Sequence, residues 1–238
     1  MQLAFQIGAY LVGLPLEVAI MVILLRGQWK RYPFVFAYLI GDFLTTVLEI
    51  EPALGYGGGT TAERLSFTNL YWWNERIMQV LTFLLVISLV YRATAHLRPR
   101  RTILLFCIVG TLLCAGISFL VTFDSTQSMG NWMTPWTRNM NFYAAILDLG
   151  LWVALIGSRQ KDYKLLMISG ALGIQFTGIA IAQALRQMTK SPMLATLIGD
   201  FIILSYLACT YIWWQAFRMP VTLTSKANRP AASANPHG

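Results

Sequence analysis

Apolar residues run in seven long stretches along the chain, and in four of these the polar positions recur at helical spacing. The stretches cover roughly residues 3–25, 33–52, 70–92, 103–123, 139–157, 165–185 and 193–217. A run of about 20 apolar residues crosses a bilayer as a helix. The pattern therefore predicts an all-α polytopic membrane protein with seven transmembrane helices, residues 1–218 forming one membrane domain. Residues at i, i+4, i+7 and i+11 share a helix face. Gln6, Tyr10, Gly13 and Glu17 make such a line in the first span, and Tyr38, Asp42, Thr45 and Glu49 repeat it in the second. Arg138, Asn141, Ala145, Asp148 and Trp152 align in the fifth, and Trp72, Glu75 or Arg76, and Gln79 in the third. Lipid offers polar groups no partner, so four greasy helices with one polar line each are expected to turn those lines toward a shared interior.

Six of the ten acidic residues, Glu17, Asp42, Glu49, Glu75, Asp148 and Asp200, lie inside these stretches or at their rims. An ionisable group at that depth is costly, which makes it a candidate functional group. Counting along the spans places Glu17, Asp42 and Asp148, with Gln175, near the midplane. Glu49, Glu75, Arg76, Asn141 and Asp200 fall toward the outer side. Arg76 is the only basic residue well inside a span, and its expected partner is an acid of similar depth on another helix, Asp200 or Glu49. One arginine cannot neutralise several acids, so some midplane carboxyls are expected to be protonated, hydrogen-bonded or open to water. Groups of that kind exchange protons or bind cations. The reading that follows is a transporter or channel for protons, ions or a small polar solute. Asp42, Glu17 and Asp148 would be its midplane carriers, Asp200 and Glu75 an outer gate, and Arg76 the counter-charge. Buried carboxyls also act as glue between helices, at about 0.6 kcal/mol per hydrogen bond. The small mass and short connections suit a second reading, a non-enzymatic sensor or structural subunit of a larger membrane complex.

Composition narrows the setting. With 56% hydrophobic and 12% charged residues and a mean hydropathy of +0.57, an ordinary soluble domain is excluded. A net charge of +8 would suit nucleic acid if the basic residues shared a face, but they alternate by connection. Arg26, Lys30, Arg31, Arg92, Arg98, Arg100, Arg101, Arg159, Lys161, Lys164, Arg218, Lys226 and Arg229 follow the odd-numbered spans; only Arg64, Arg138, Arg186 and Lys190 occupy the alternate connections. This asymmetry predicts an N-terminus outside and a C-terminus in the cytoplasm. It implies no nucleic-acid partner. The expected contacts are the lipid bilayer and, through the apolar faces, other proteins or a second copy of the chain. The first span has no positive n-region or small-residue cleavage site and is expected to be a retained helix. The tail, 219–238, rich in Ser, Ala, Asn and Pro, is expected to be disordered. The connections 53–69, with Gly55, Gly57, Gly58 and Gly59, and 124–138 are expected to be loops. Trp29, Trp72, Trp73, Trp132, Trp136, Trp213 and Trp214 fall near span ends, as an aromatic belt requires.

Few chemistries fit these residues. Cys107, Cys114 and Cys209 all sit within spans and are expected to be packing residues. The glycine cluster lacks the lysine and Ser/Thr of a phosphate-binding loop. The last span has no lysine for a retinal Schiff base. His96 and His237 lie outside the spans, which removes bis-histidine haem and a histidine-based intramembrane serine protease. HExxH and CxxC zinc motifs are absent. No cofactor, metal or complete catalytic constellation is implied. Leu39-Ile40-Gly41-Asp42-Phe43 recurs as Leu197-Ile198-Gly199-Asp200-Phe201, but a three-plus-three inverted repeat would pair other helices, so coincidence is expected. Gly110 with Cys114, and Ser169 with Gly173, have the spacing of close helix contacts.

Two resemblances follow from these residues. Gly41-Asp42 and Gly199-Asp200 resemble part of the GxGD element of intramembrane aspartyl proteases, in which two carboxylates share a proton and activate water; Leu39 and Leu197 stand where that family has glycine. The Arg31-Tyr32-Pro33 entry to the second span and the Tyr71-Trp72-Trp73-Asn74-Glu75 opening of the third are similar to uncharacterised seven-helix bacterial inner-membrane proteins. That likeness implies topology and no activity; a bacterial inner membrane is the expected location.

Overall fold

The computed structural model describes residues 2–55, 61–95, 100–124, 129–157, 162–189 and 191–219. The tail expected to be disordered and the glycine cluster 57–59 lie outside this set. The elements are α1 (Gln2–Ile23), a π-helical turn (Leu24–Gln28), α2 (Pro33–Gly55), α3 (Thr61–Ala93), α4 (Arg100–Thr122), α5 (Met129–Gly157), α6 (Tyr163–Met188) and α7 (Pro192–Arg218). There is no strand among the described residues. Six helices are long and apolar enough to cross a membrane, while the apolar part of α2, Pro33–Leu48, is shorter.

Two helices begin earlier than hydropathy predicts. α3 starts at Thr61 and α5 at Met129, so parts of both expected loops are helical. An apolar-window reading stops where polarity begins, but helix growth needs only backbone hydrogen bonds and acceptable propensity. Ala62, Glu63, Arg64 and Leu65 are all good helix formers. In α5, Trp132 packs edge-on against Phe119 and Phe123 of α4 at centroid distances of 5.6 and 5.3 Å, which anchors the added turns.

The end of α1 is built differently. Trp29 N donates to Leu24 O at 2.8 Å, and Gly27 takes φ 131°, a conformation that strains any residue with a Cβ. The chain therefore turns sharply, buries Tyr32, and enters α2 through Pro33, whose fixed φ suits a first helical position.

The helices pack as a closed ring in the order α1, α2, α3, α5, α6, α7, with α7 returning to α1. The α6–α7 and α5–α6 seams are the most extensive. α6 is the most enclosed of the six long helices, and α4 lies outside the ring against α3 and α5. The outward side of α4 exposes Leu105, Phe106, Leu112, Leu120 and Val121, the residue types a lipid-facing helix carries. Leu24, Leu39, Leu85, Leu89, Ile168, Leu172, Trp213 and Phe217 fill the interior. Trp213 is thus a core residue and not part of an aromatic belt: it is 2% exposed and its Nε1 donates to Ile168 O at 3.0 Å. Trp29 and Trp73 remain exposed.

The repeated pentapeptide is not a structural repeat. Leu39 is buried and Leu197 exposed. A Cβ on Gly41 would lie 2.8 Å from Leu81 Cδ1, whereas one on Gly199 would meet nothing within 4 Å.

Candidate functional site: a polar layer at mid-bundle

Helix geometry sets the depth of each polar residue. The π-helical turn, the start of α2 and the ends of α3, α5 and α7 share one end of the bundle with the start of α6, since Tyr32 touches both Arg92 and Phe217, and Gln28 touches Lys164. At 1.5 Å rise per residue, Glu17, Asp42, Asp148, Gln175 and Cys209 all lie about 12–17 Å from that end. Half the thickness of a bilayer core is about 15 Å. Five helices thus deliver polar groups to one level.

Side-chain contacts join these groups. Gln175 Nε2 of α6 donates to the Tyr38 hydroxyl of α2 at 3.2 Å, and the Tyr38 ring packs edge-on against Trp213 of α7 at 5.9 Å. Tyr38 is therefore the hub between α2, α6 and α7. Glu17 of α1 and Asp42 of α2 lie close enough for their charges to repel, and both act on Tyr38. The Cys209 thiol is within electrostatic reach of both Asp42 and Asp148, so Asp148 of α5 belongs to the same layer. Asp148 stands beside Ser169 and presses on Gly173, where a Cβ would fall 2.9 Å from its Oδ2. Gly173 of α6, expected to let helix backbones meet, lies on the extensive α5–α6 seam and also makes room there for a carboxylate.

Glu17 and Asp148 are 1% and 2% exposed, and Glu17 Oε2 and Asp148 Oδ1 make no hydrogen bond among the described residues. The Tyr206 hydroxyl, on the α7 face that meets Gly13 one turn from Glu17, has none either. Buried polar atoms in folded proteins are almost always paired. Glu17 Oε2, Asp148 Oδ1 and the Tyr206 hydroxyl lie close to one level, and Asp148 has the Ser169 hydroxyl of α6 as its hydrogen-bonding neighbour.

The remaining sequence candidates lie elsewhere. Asn141 and Asp200 are about 24–26 Å from the same end, nearer the opposite surface, while Glu75 and Arg76 follow Asn74, which meets Thr45 one turn beyond Asp42. Asn141 is buried, and the other three are half-buried. Arg76 lies over the Trp73 ring at 5.0 Å, and its Nη2 reaches Met133 Sδ at 3.8 Å. Neither contact is with Asp200 or Glu49, the acids expected to pair with it; the Glu49 side chain lies outside the described residues. Of the polar lines, that of α1 turns inward only at its Glu17 end, because Tyr10 is 38% exposed. The Thr45 hydroxyl of α2 lies 2.9 Å from Asn74 Oδ1 of α3 and 2.8 Å from Gly41 O, the two acceptors that share its one proton, and so joins α2 to α3 one turn beyond Asp42. Sequence reasoning missed Cys209 and Tyr206 because both sit in an α7 stretch without charge. Their i, i+3 spacing on one face was the available signal.

No protein-family model matches the chain, and no curated protein or solved structure is similar to it.

Proposed function

We propose that this chain is a multi-pass membrane protein whose mid-bundle carboxyl layer passes protons or small cations across the bilayer. The supporting observation is the pair of buried, unpartnered carboxylate oxygens on Glu17 and Asp148, within one layer with Asp42, Tyr38 and Gln175. Asp148 has Ser169 of α6 as a hydrogen-bonding neighbour, as an acid joining helices would, whereas Glu17 Oε2 has no hydrogen-bond partner among the described residues. A group that receives and releases an ion needs a coordination position that the fold itself does not fill. In this reading Glu17, Asp42 and Asp148 carry the ion, Tyr38 and Gln175 hold the layer together, and Asp200, Glu75 and Arg76 form the outer approach.

The topology proposed with it has all seven helices crossing, the N-terminus outside and the C-terminus in the cytoplasm, supported by thirteen basic residues on one set of connections against four on the other. A bacterial inner membrane is the location proposed with it, in keeping with the likeness of Arg31-Tyr32-Pro33 and of Tyr71-Trp72-Trp73-Asn74-Glu75, inside α3, to bacterial inner-membrane proteins.

The test is flux in liposomes containing the purified chain and a pH-sensitive dye, driven by an imposed proton or potassium gradient. Glu17→Gln, Asp42→Asn and Asp148→Asn are each expected to slow a gradient-dependent flux at least tenfold. Unchanged flux in all three variants would remove the transport reading. A membrane-complex subunit would then be favoured by the apolar outer face of α4, and cross-linking through α4 in native membranes would identify the partner.

A further inference from the structure

A second cluster, at the end of the bundle where the π-helical turn meets α2, α3, α6 and α7, takes no part in the midplane layer. Its floor is apolar and closed: Tyr32 and Phe217, 2% and 1% exposed, meet edge-on at 5.5 Å. Three cations stand on that floor. The Arg92 guanidinium lies 4.2 Å over the Tyr32 ring and that of Arg31 5.9 Å from it, while Lys164 Nζ lies 5.5 Å over Phe217. Lys164 donates to Gln28 Oε1 at 2.9 Å, and Arg31 Nη2 lies 3.8 Å from Asp162 Oδ2. Asp162 is one acid against three bases, and it already accepts from Leu165 N at 3.1 Å as the cap of α6.

The second observation is the Tyr32 hydroxyl, which is buried and makes no hydrogen bond among the described residues. Asp162, Arg92 and Arg31 all lie within electrostatic reach of it. Burial, reinforced by Asp162 and opposed by the two arginines, pushes the phenol above its ordinary value, so it remains a hydroxyl donor at neutral pH. Setting topology would need only exposed lysines and arginines. It does not require three cations drawn onto two buried rings around an unpartnered donor. The missing complement is an anion with several acceptor oxygens, and the planar fork of arginine matches phosphate in geometry as well as charge. The cluster sits at the helix ends, the level at which lipid phosphates meet a membrane protein.

We infer that Arg31, Arg92, Lys164 and the Tyr32 hydroxyl form a binding site for a phosphate group, carried by an anionic phospholipid headgroup or by a small phosphate ester. The site is independent of the transport reading.

The purified full chain in a neutral maltoside detergent tests this, with binding read as the rise in thermal unfolding midpoint. Short-chain phosphatidylglycerol, glycerol phosphate and inorganic phosphate are titrated separately at constant ionic strength, with a short-chain diacylglycerol as the uncharged control. Stabilisation by phosphatidylglycerol alone supports a lipid site; stabilisation by glycerol phosphate or phosphate as well supports a site for the free ester. Arg92→Gln and Lys164→Gln should each raise the half-saturating concentration at least tenfold. Tyr32→Phe keeps the ring contacts and should raise it about tenfold, the worth of one hydrogen bond to a charged group. Stabilisation by none of the three phosphates, or by the uncharged control equally, overturns the inference. So does a titration curve left unmoved by Tyr32→Phe, the variant that folds irrespective of its charged neighbours.

Discussion

At the scale of single residues, Tyr38 combines two roles that are usually separate in a membrane interior. Its ring packs against Trp213 while its hydroxyl accepts from Gln175. Phenylalanine could do the first and not the second. Tyr38→Phe would keep the packing and leave the Gln175 amide with a donor to satisfy in a buried site, an effect of about 1–3 kcal/mol. The expected result is a lowered thermal unfolding midpoint in detergent with helicity by circular dichroism unchanged; an unchanged midpoint would mean that Gln175 finds another acceptor and that Tyr38 is not the hub. The midplane acids were legible from sequence because an acid at helical spacing in an apolar stretch has few alternatives to facing inward. Glu17 and Asp148 meet that expectation, as does the burial of Gln175. The environment of Arg76 was not legible. A long, flexible side chain can reach several neighbours from one Cα, and here it meets a methionine sulfur and a tryptophan face.

At the scale of helices, seven elements could be read from hydropathy, but their ends could not where polar turns extend past the membrane, as at Thr61 and Met129. Nor could the pairing of helices. The repeated Gly-Asp pentapeptide has the same letters in α2 and α7 and opposite surroundings, because burial is set by the neighbours across the seam and not by the helix itself. The glycine that governs the longest seam lies elsewhere: Gly178 of α6 faces Ser205 of α7 so closely that an added Cβ would lie 2.8 Å from Ser205 Cβ. In a bilayer, close backbone approach replaces the hydrophobic effect as the force between helices. Gly178→Ala should therefore push α6 from α7 and destabilise the bundle by about 1–3 kcal/mol, the usual effect of overpacking. Adding Ser205→Gly should recover most of the lost midpoint, since it removes both atoms the new methyl strikes. A double variant no more stable than the single one would show that the seam is not the origin of the loss.

At the scale of the whole molecule, the number of crossings decides which surfaces the two ends of the bundle face. Six helices qualify as spans by length and composition, and six crossings would put both termini on one side. The contacts argue for a seventh. α1 finishes and α2 begins at the end where α3 also finishes, as Arg92 lying on the Tyr32 ring requires. The chain must then travel away along α2 and return along α3. The 23 residues of α2 reach about 35 Å at 1.5 Å each, against a bilayer core of about 30 Å. Its described apolar part, Pro33–Leu48, lies against α3 through Gly41, Thr45 and Asn74. On the proposed topology, seven crossings place the termini on opposite faces, and the basic residues put the Tyr32 end in the cytoplasm. Alkaline phosphatase fused after Asp124 should then be active and its fusion after Arg218 inactive, with green fluorescent protein at the two positions giving the reverse. Phosphatase active only after Arg218 would mean either that the molecule is inverted or that α2 does not cross, and a fusion after Ile23, active only in the inverted molecule, separates the two. Equal activity at the two junctions would mean that α7 fails to cross.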